Sequence, residues 1–232
     1  MALDEALLVA GPEAVTLRLY TWAPDTLSLG YFQRLAEVPP AARFHAGERG
    51  PDLPGAVVRR LTGGGAIHHQ HELTFSLTAP LAHPLYRGKT EASYRRVHAA
   101  IAKALLQAGV VAEERGDRVL DSEREGTGMC FHKSASVDLV WNGLKGVGSA
   151  QRRTGGRVLH HGSIKLGTTP LEGRIATVAE DLAPEAFAPH LLAALRESFG
   201  IRFETTQPSP EETARARSRE AHFGSPEFVA RR

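Results

Sequence analysis

The chain has 232 residues, enough for one sizeable domain with a buried core, although two small domains would also fit that length. Hydrophobic residues make up 42% and charged residues 23%, a composition typical of soluble folded proteins rather than disordered ones. The net charge of +2 is small and the basic residues are scattered, so nucleic-acid binding gains no support. No apolar run approaches the roughly 20 residues that span a bilayer, and the N-terminus lacks the basic region of a signal peptide. We therefore expect a cytoplasmic protein without membrane contact.

The first predicted elements are a helix and two strands. Residues 2–10 carry apolar side chains at helical spacing, and Gly11-Pro12 ends that pattern. Residues 16–22 alternate as a strand does, and a proline-containing turn leads to a second strand at residues 26–33. We expect these two strands to pair in antiparallel orientation, and the proline- and glycine-rich residues 39–54 to form a surface loop.

A glycine-rich loop follows a third predicted strand at residues 56–58. Arg59 and Arg60 precede three consecutive glycines at residues 63–65, whose conformational freedom lets main-chain N–H groups come close to a ligand. The two guanidinium groups would suit a carboxylate, a phosphate or an acyl carbonyl beside that backbone. A tight turn between two strands is the alternative, and the loop matches neither a Walker loop nor a dinucleotide-binding turn.

Residues 59–69, Arg-Arg-Leu-Thr-Gly-Gly-Gly-Ala-Ile-His-His, resemble the signature of the lipoate–protein ligase and octanoyltransferase family, which is related to biotin–protein ligase. The resemblance implies an α/β (α+β) domain with a mostly antiparallel or mixed sheet and flanking helices. Such a domain holds a lipoyl or octanoyl chain and passes it to a lysine of a lipoyl domain. The signature positions that would line the acyl or acyl-adenylate pocket are Arg60, Gly63, Gly64, Gly65, Ala66 and His69.

Three neighbouring histidines, His68, His69 and His71, suggest a metal site. Side chains alternate along a strand, so His69 and His71 are expected to share one face while His68 points away. No acidic or cysteine ligand is spaced to complete a coordination shell, and we therefore expect no metal.

The only cysteine of the chain, Cys130, follows a long charged loop. A helix is predicted from Thr90, as its cap, to Gly109, and a short strand at residues 110–112 follows it. Residues 116–128 are charged and glycine-bearing, which is typical of a mobile loop. A lone cysteine forms no internal disulfide and is by default a small buried apolar residue, but its position after this loop suits chemistry.

A three-stranded meander is predicted after the cysteine. Residues 136–141 form a strand, and Asn142-Gly143 is the dipeptide of a two-residue type I′ hairpin. The return strand carries Lys145 and Gln151, and a second hairpin brings His161 alongside them. These three side chains are the candidate polar groups of the meander.

The meander carries a second resemblance to the same family. Lys-Gly-Val-Gly-Ser-Ala-Gln-Arg-Arg at residues 145–153, followed by His-His-Gly-Ser-Ile, resembles the signature whose lysine contacts the acyl carbonyl. Cys130, with Asp-Leu-Val eight residues later, is similar to the cysteine-bearing octanoyltransferases. The chain departs from those enzymes at two places. Residues 133–136 are Lys-Ser-Ala-Ser where those enzymes tend to carry Pro-Ser, and residues 146–147 are Gly-Val where a hydrophobic residue followed by a small one is more usual.

These resemblances imply transfer in two steps through a thioester on Cys130. A nearby ammonium such as that of Lys145 would favour the thiolate form of the cysteine. Backbone N–H groups near Gly148, Ser149 and Ala150 could stabilise the oxyanion. His161 and Gly162 of the second signature complete the expected substrate-binding set.

Several functions remain open at this point. The leading expectation is octanoyl transfer from acyl carrier protein to lipoyl domains of 2-oxoacid dehydrogenase E2 subunits or of glycine cleavage H protein, with no cofactor required. The alternatives are an ATP- and Mg-dependent lipoate ligase, an amidotransferase between lipoyl-domain proteins, and a non-catalytic acyl-binding or carrier-binding module.

The resemblance extends towards both ends of the chain. Ser-Leu-Gly-Tyr-Phe-Gln at residues 28–33 resembles a family strand, so Tyr31 would line the acyl tunnel, although an ordinary sheet core explains it equally well. A helix at residues 184–199, a strand at 201–204 and a helix opened by the capping box at Ser209 follow. Residues 222–228 are similar to the family's usual ending. We therefore expect a single catalytic domain over residues 1–232, without the separate C-terminal domain of many lipoate ligases.

Overall fold

The structure of the protein is a computed structural model that describes residues 1–39 and 55–231. A six-stranded sheet has the order β1-β5-β9-β8-β7-β6 with every neighbouring pair antiparallel, and a three-stranded sheet has the order β3-β2-β4. The strands are β1 (Thr16–Tyr20), β2 (Thr26–Leu29), β3 (Ala56–Arg59), β4 (Ile67–His69), β5 (Glu72–Pro80), β6 (Glu113–Glu114), β7 (Leu139–Trp141), β8 (Leu144–Thr154) and β9 (Arg157–Lys165). The helices are α1 (Ala2–Ala10), α2 (Thr90–Gln107), α3 (Pro184–Phe199), α4 (Pro210–Gly224) and α5 (Pro226–Val229).

Helices cover both faces of the large sheet. Val158 of β9 lies in a core cluster with residues of α2 and α3, while its neighbour Leu159 packs with Leu8 of α1 and Phe223 of α4. Since successive side chains of a strand point to opposite faces, the two helix pairs lie on opposite sides. The predicted fold class, a mixed and mostly antiparallel sheet with flanking helices, is confirmed. Among the described residues, no helix is both long and apolar enough to cross a membrane.

Local signals located most elements correctly. The first helix spans the expected residues, and α4 begins with the predicted capping box, in which Ser209 accepts a hydrogen bond from the main chain of Glu212. The β7–β8 turn has positive φ at both Asn142 (53°) and Gly143 (73°), as a type I′ turn requires. The predicted meander is formed by β7, β8 and β9. Of the predicted surface loop at residues 39–54, residues 40–54 lie outside the described part of the chain.

The predicted pairing of the first two strands is wrong. β1 pairs with β5, where Leu17 lies opposite Leu77 and Leu19 opposite Phe75. β2 instead lies between β3 and β4 in the smaller sheet, and all four of its residues are buried. Adjacency in the chain favours a hairpin, but each strand finds a better apolar partner further away.

Two predicted short strands are also absent, and one cap differs. Residues 110–112 precede the two-residue β6 and form no strand; Val110 and Ala112 pack against the core, while Val111 is 70% exposed. Residues 201–204 form no strand within the described structure. Thr90 is the first residue of α2 and not its cap, because Lys89 holds the cap position.

Candidate active site

The glycine-rich loop and the cysteine segment are joined through their backbones. The main-chain N–H of Ala66 donates to the oxygen of Gly128 (2.8 Å), and that of Cys130 donates to the oxygen of Ala66 (2.7 Å). A Cβ at Gly65 would lie 2.7 Å from the Gly128 oxygen and 2.9 Å from the Cys130 nitrogen. Glycine is therefore needed at position 65 because the cysteine segment passes directly over it.

The side chain of Lys145 reaches the cysteine from β8. Its Nζ lies 3.7 Å from Cys130 Sγ and donates to the main-chain oxygens of Cys130 and Lys133, both at 3.0 Å. It also forms an ion pair with Asp138 Oδ2 at 2.7 Å, and the lysine is only 3% exposed. The lysine is thereby fixed beneath the thiol by four contacts.

The electrostatics of this site keep Lys145 charged. Burial alone would lower the pKa of Lys145, but the Asp138 carboxylate and Cys130 outweigh that effect, and the pKa is raised. An ammonium with a raised pKa is fully protonated at neutral pH. It therefore places a fixed positive charge beside the sulfur.

Gly148 of β8 and Gly162 of β9 lie where neighbouring atoms leave little room for a side chain. A Cβ at Gly148 would lie 3.4 Å from Cys130 Sγ and 3.0 Å from Lys145 Cε. A Cβ at Gly162 would lie 2.6 Å from the Gly148 oxygen and 2.7 Å from Phe75 Cε1. A larger residue at position 148 would fill the space beside the thiol, whereas one at position 162 would collide with the β8 backbone and the Phe75 ring.

A cavity of about 390 Å³, including its mouth, opens on the cysteine. Most of the lining is apolar, which suits an acyl chain. The lining residues are Met1, Arg60, Gly63, Gly64, Ile67, His69, Thr74, Cys130, Gly148, Ser149, Ala150, His161 and Gly162.

The two arginines of the first signature are occupied by the protein's own backbone. Arg60, which is 2% exposed, donates from Nη2 to the oxygens of Gly63 (2.8 Å) and Gly65 (2.7 Å) and from Nη1 to the Ser28 oxygen (2.9 Å). Burial lowers the pKa of Arg60 to about 10, which leaves it charged. The expectation of free donors for a substrate anion therefore differs from the structure, in which Arg60 braces the glycine loop.

Arg59 is used in the same way. It donates from Nη1 to the oxygens of Gly30 (2.5 Å) and Gln33 (2.6 Å) and from Nε to the Phe228 oxygen (2.7 Å). It thereby ties the loop after β2 to the C-terminal helix α5. A buried guanidinium group needs such partners, and main-chain oxygens are the ones nearby.

His69 lines the cavity as a neutral group. Its Nε2 lies 2.7 Å from Ser28 Oγ and its Nδ1 lies 2.6 Å from Glu72 Oε1, while its ring stacks on Trp22 at 4.2 Å. Burial lowers the pKa of His69 to about 4 despite the neighbouring Glu72 carboxylate. His69 is thus an uncharged, fixed wall of the pocket at neutral pH.

The predicted alternation of the three histidines is wrong beyond His69. β4 ends at that residue, and His71 lies exposed in the following turn with a φ of 50°, so it shares no strand face with His69. His68 points elsewhere, with Nε2 2.9 Å from Asp25 Oδ2. In residues 1–39 and 55–231, no three His, Cys, Asp or Glu side chains are grouped to hold a metal ion.

His161 is held on the opposite strand face from its neighbour His160. Its Nε2 lies 2.6 Å from Thr62 Oγ1, in the residue before the glycines, and its Nδ1 lies 3.8 Å from Asp4 Oδ2. Burial lowers the pKa of His161, against the effect of Asp4. This neutral histidine links β9 to the glycine loop.

A second buried lysine lies below the pocket. Lys165 Nζ contacts Glu72 Oε2 and Glu172 Oε2, both at 2.8 Å, and donates to the His68 oxygen at 2.7 Å. Lys165 and Glu172 are 0% exposed. The same Glu72 carboxylate holds His69, so this charge cluster supports the pocket wall.

Besides Gly65, which the cysteine segment covers, two predicted substrate-binding residues lie away from the cavity lining. The ring of Tyr31 packs between the guanidinium carbons of Arg152 (5.0 Å) and Arg231 (4.5 Å). Ala66 is fully buried at its bridge with Met129. Both support the loop around the cavity and do not line it.

The sequence patterns did not indicate Asp138, Ile67 or Thr74 as site residues. Asp138 holds Lys145, and Ile67 and Thr74 line the pocket. The Asp-Leu-Val triplet in the second signature was a signal for the first of these. Nothing in the local sequence distinguishes the other two from ordinary strand residues.

Comparison with known proteins places this geometry in a family. The model of the lipoyl protein ligase A/B catalytic domain matches residues 1–182. Octanoyltransferase LipM of Moorella thermoacetica is 40% identical over 214 residues, which cover 88% of this chain and 75% of the relative. LipM of Clostridioides difficile is 36% identical over 171 residues, covering 72% of this chain and 60% of the relative. The chain thus spans between three fifths and three quarters of these relatives' length.

Solved structures show the same fold. A chain from the structure of the bipartite lipoate protein ligase and E2 lipoyl domain of Thermoplasma acidophilum aligns with a TM-score of 0.74 and 20% identity over 99% of this chain and 90% of that chain. A lipoate-protein ligase A bound with ATP aligns with a TM-score of 0.73 and 21% identity, over 99% and 92% of the two chains. At these identities the likeness concerns the fold alone.

Proposed function

Because this chain belongs to the lipoyl protein ligase A/B catalytic domain family, we propose that it is an octanoyltransferase of protein lipoylation that works through a thioester on Cys130. The observation that carries the proposal is the distance of 3.7 Å between Lys145 Nζ and the Sγ of Cys130, a residue that lines an apolar cavity. The relatives named octanoyltransferase LipM support the activity.

In the first step, the Cys130 thiolate attacks the carbonyl carbon of an octanoyl thioester. A new carbon–sulfur bond forms, the donor's carbon–sulfur bond breaks, and the donor thiolate leaves and takes a proton from water. The Lys145 ammonium stabilises the attacking thiolate and stays protonated, because Asp138 holds its charge. The tetrahedral oxyanion forms beside the main chain of Gly148, Ser149 and Ala150, which line the same cavity.

In the second step, the amine of an acceptor lysine attacks the octanoyl-Cys130 thioester. The amide bond forms, the carbon–sulfur bond breaks, the amine nitrogen loses a proton to water, and Cys130 leaves as a thiolate that Lys145 stabilises again. The apolar cavity lining holds the acyl chain during the exchange of partners. No cofactor is needed for either step.

The proposed donor is octanoyl-acyl carrier protein, and the proposed acceptors are the lipoyl domains of 2-oxoacid dehydrogenase E2 subunits or of glycine cleavage H protein. Residues 1–232 act as a single catalytic domain in this proposal, in the cytoplasm. The bonds of Arg59 and Arg60 to main-chain oxygens favour a transferase over an ATP-dependent ligase, because within the described structure both arginines before the glycine loop are engaged by the protein itself.

One experiment separates the candidate activities. The protein is mixed with an apo lipoyl domain and one of three donors: octanoyl-acyl carrier protein, octanoylated H protein, or octanoate with ATP and Mg²⁺. We expect an octanoylated lipoyl domain from the carrier protein without ATP, detected by intact mass. Product only with octanoate and ATP would identify a ligase, product only from H protein an amidotransferase, and no product in any arm a binding module.

A further inference from the structure

A buried amide in the turn after β2 reaches the segment that carries the cysteine. Gln33 lies in this turn and is 7% exposed. Its Nε2 donates to the main-chain oxygen of Gly128 at 2.6 Å, and its Oε1 accepts from the main-chain N–H of Gly30 at 3.2 Å. Gly128 precedes Cys130 by two residues. The side chain of Gln33 therefore joins the end of β2 to the cysteine segment, 95 residues further along the chain.

The orientation of the Gln33 amide is fixed at both ends. The Gly30 N–H only donates and the Gly128 oxygen only accepts, so a reversed amide would lose both hydrogen bonds. The main chain that carries Gln33 is held as well, because Arg59 Nη1 donates to the oxygens of Gly30 (2.5 Å) and Gln33 (2.6 Å). The amide N–H is thus directed at Gly128 before any substrate arrives.

The oxygen that Gln33 binds also takes part in the bridge between the cysteine segment and the glycine loop. Gly128 O accepts from the Ala66 N–H at 2.8 Å, and the Cys130 N–H donates to Ala66 O at 2.7 Å. A carbonyl oxygen has two lone pairs, so it accepts both the Ala66 and the Gln33 donor. Gln33 therefore holds the same bridge from the side opposite the glycine loop.

The main chain just before the cysteine has little else to restrain it on its outer side. Gly126 and Gly128 have φ values of 73° and 66°, in the region that glycine adopts most easily. A Cβ at Gly126 would meet nothing within 4 Å. A Cβ at Gly128 would overlap the main-chain oxygen of Glu37 and lie 3.0 Å from Gln33 Nε2. The segment is open at Gly126 and packed against the turn of Gln33 at Gly128.

The position of Gly128 matters because the two sides of the reactive pair are held by different parts of the fold. Lys145 is held from β8 by Asp138, and its Nζ lies 3.7 Å from Cys130 Sγ. Cys130 is held by the segment that begins at Gly128. A displacement of about 1 Å between reacting groups can slow a reaction about 100-fold, so a small movement of this segment is sufficient to change the rate.

We propose that Gln33 is a positioning residue for Cys130, whose amide N–H holds Gly128 so that the sulfur stays beside the Lys145 ammonium. The acyl-transfer part of this inference rests on the function proposed above. Gln33 does not line the cavity, so it acts on the sulfur and not on the acyl chain. Without its N–H, a smaller fraction of the molecules has Cys130 in place, and every reaction of the thiolate slows by that fraction.

Two variants separate the hydrogen bonds of Gln33. Gln33→Met removes both, whereas Gln33→Glu keeps an oxygen for the Gly30 N–H but has no proton to donate to Gly128 while it is ionised. One net hydrogen bond corresponds to about a factor of ten, so at pH 8 both variants should form octanoyl-Cys130 about tenfold more slowly with saturating octanoyl-carrier protein. The KM for the carrier protein should change less than about twofold, because the pocket is untouched.

Alkylation of Cys130 by iodoacetamide is the second readout. This small reagent needs the thiolate but not the acyl pocket, so both variants should slow alkylation at pH 8 by about the same factor as acylation. Rates are compared well below the unfolding midpoint of each variant, where lower stability alone leaves nearly every molecule folded.

Acid should restore the Glu variant only. A protonated carboxyl group has one O–H donor, and burial favours that neutral form, against Arg59, the charged side chain bonded to the Gln33 oxygen. Between pH 8 and 5.5 the rate of Gln33→Glu divided by that of the wild type should therefore rise at least about threefold. The same ratio for Gln33→Met should stay constant. Division by the wild-type rate removes the ionisation of the thiol itself.

Each other outcome decides against the proposal. A wild-type rate for Gln33→Glu at pH 8 would assign the role of Gln33 to its Gly30 bond, and a constant ratio for both variants would exclude a donor role. A raised KM with unchanged alkylation would place the effect in the acyl pocket. Absence of octanoyl-Cys130 in the wild-type protein would overturn the proposed function, whereas the alkylation rates would still test the position of the sulfur.

Discussion

Two buried lysines direct their ammonium groups at the ring of Phe131, and their surroundings differ in one respect. Lys145 Nζ lies 5.5 Å from the ring centroid and Lys165 Nζ lies 5.1 Å from it. Lys145 is 3% exposed and Lys165 is 0% exposed, and the pKa of each is raised because carboxylates outweigh the effect of burial. By burial and charge alone the two residues would be judged equivalent.

The difference lies in the number of carboxylates. Lys165 has two, Glu72 and Glu172, whereas Lys145 has only Asp138 and the sulfur of Cys130. At Lys145 a Cys130 thiolate would take the place that the second carboxylate holds at Lys165. One lysine therefore has its full set of anions within the fold, and the other keeps room for a reactive one.

The largest expected effect tests the reactive anion directly. Because the thioester forms on sulfur, Cys130→Ala should reduce octanoyl transfer at least about 1,000-fold, as the loss of a nucleophile does elsewhere. The assay is the carrier-protein reaction without ATP, and the thermal midpoint should change little, since the thiol accepts only a long contact from Lys145. Transfer at the wild-type rate by this variant would show that Cys130 is only a packed side chain.

The next prediction concerns the fully paired lysine. Lys165→Met leaves the carboxylates of Glu72 and Glu172 buried without their cation, and breaking such a pair costs about 3–5 kcal/mol. The free energy of unfolding in urea should fall by that amount. Lys165→Met combined with Glu172→Gln, which removes one uncompensated charge, is the control and should recover part of the loss. If Lys165→Met were as stable as the wild type, the ion pairs of Lys165 with Glu72 and Glu172 would not stabilise the fold.

Lys145 should show the opposite balance, with a larger effect on chemistry than on stability. Lys145→Met removes the charge that favours the thiolate, so acylation of Cys130 should slow about 100-fold and alkylation by iodoacetamide at pH 7 should slow as well. In Lys145→Met only one carboxylate, that of Asp138, loses its cation, and it still accepts a hydrogen bond from the Ala135 N–H (2.8 Å). The free energy of unfolding should therefore fall less than in Lys165→Met. Lys145→Arg keeps charge but not shape, and should restore alkylation better than acylation.

The reverse ranking, with Lys145→Met the less stable protein and Lys165→Met the less active one, would exchange the roles of the two lysines. Both variants are made with the same replacement so that side-chain volume does not differ between them.

The sequence predicted those parts of the fold that depend on local signals. The capping box at Ser209, the Asn142-Gly143 turn and the helical spacing of α1 each act within a few residues, and all three are confirmed. The pairing of β1 with β5 joins residues that are about 60 positions apart in the chain, and no local sequence pattern specifies such a pairing. The predicted pairing of β1 with β2 was wrong because strand pairing depends on distant residues, whereas turns and helix caps depend on neighbouring ones.

The site was predictable to a similar extent. The two signatures indicated the glycine loop, Cys130 and Lys145, because their residue types are specific. They did not indicate what Arg60 binds, since a buried guanidinium group takes whichever oxygens the folded backbone offers. They also did not indicate Lys165, which only the folded sheet brings to Glu72 and Glu172.

The smallest predicted effect concerns acid and uses the histidine attached to the Lys165 cluster. The pKa of His69 is about 4 in the folded protein, below its ordinary value of 6.5, because burial disfavours the charged ring. The unfolded chain therefore binds a proton first as the pH falls. The stability that depends on neutral His69 is fully present above pH 6.5 and is lost between pH 6.5 and 4.

Each such histidine contributes a slope of about 1.4 kcal/mol per pH unit within that window. His69→Gln can keep bonds to Ser28 and Glu72 but takes up no proton, so the slope of unfolding free energy between pH 6 and 5 should fall by about 1.4 kcal/mol per unit. Glu72 also has a lowered pKa, through His69 and Lys165 acting against burial, but its ordinary value is 4.5 and its contribution is lost only below that pH. Urea titrations at pH 5, 5.5 and 6 therefore isolate the histidine. An unchanged slope in His69→Gln would show that His69 is not held neutral in the fold, and the wall of the pocket beside Lys165 would then carry an additional positive charge.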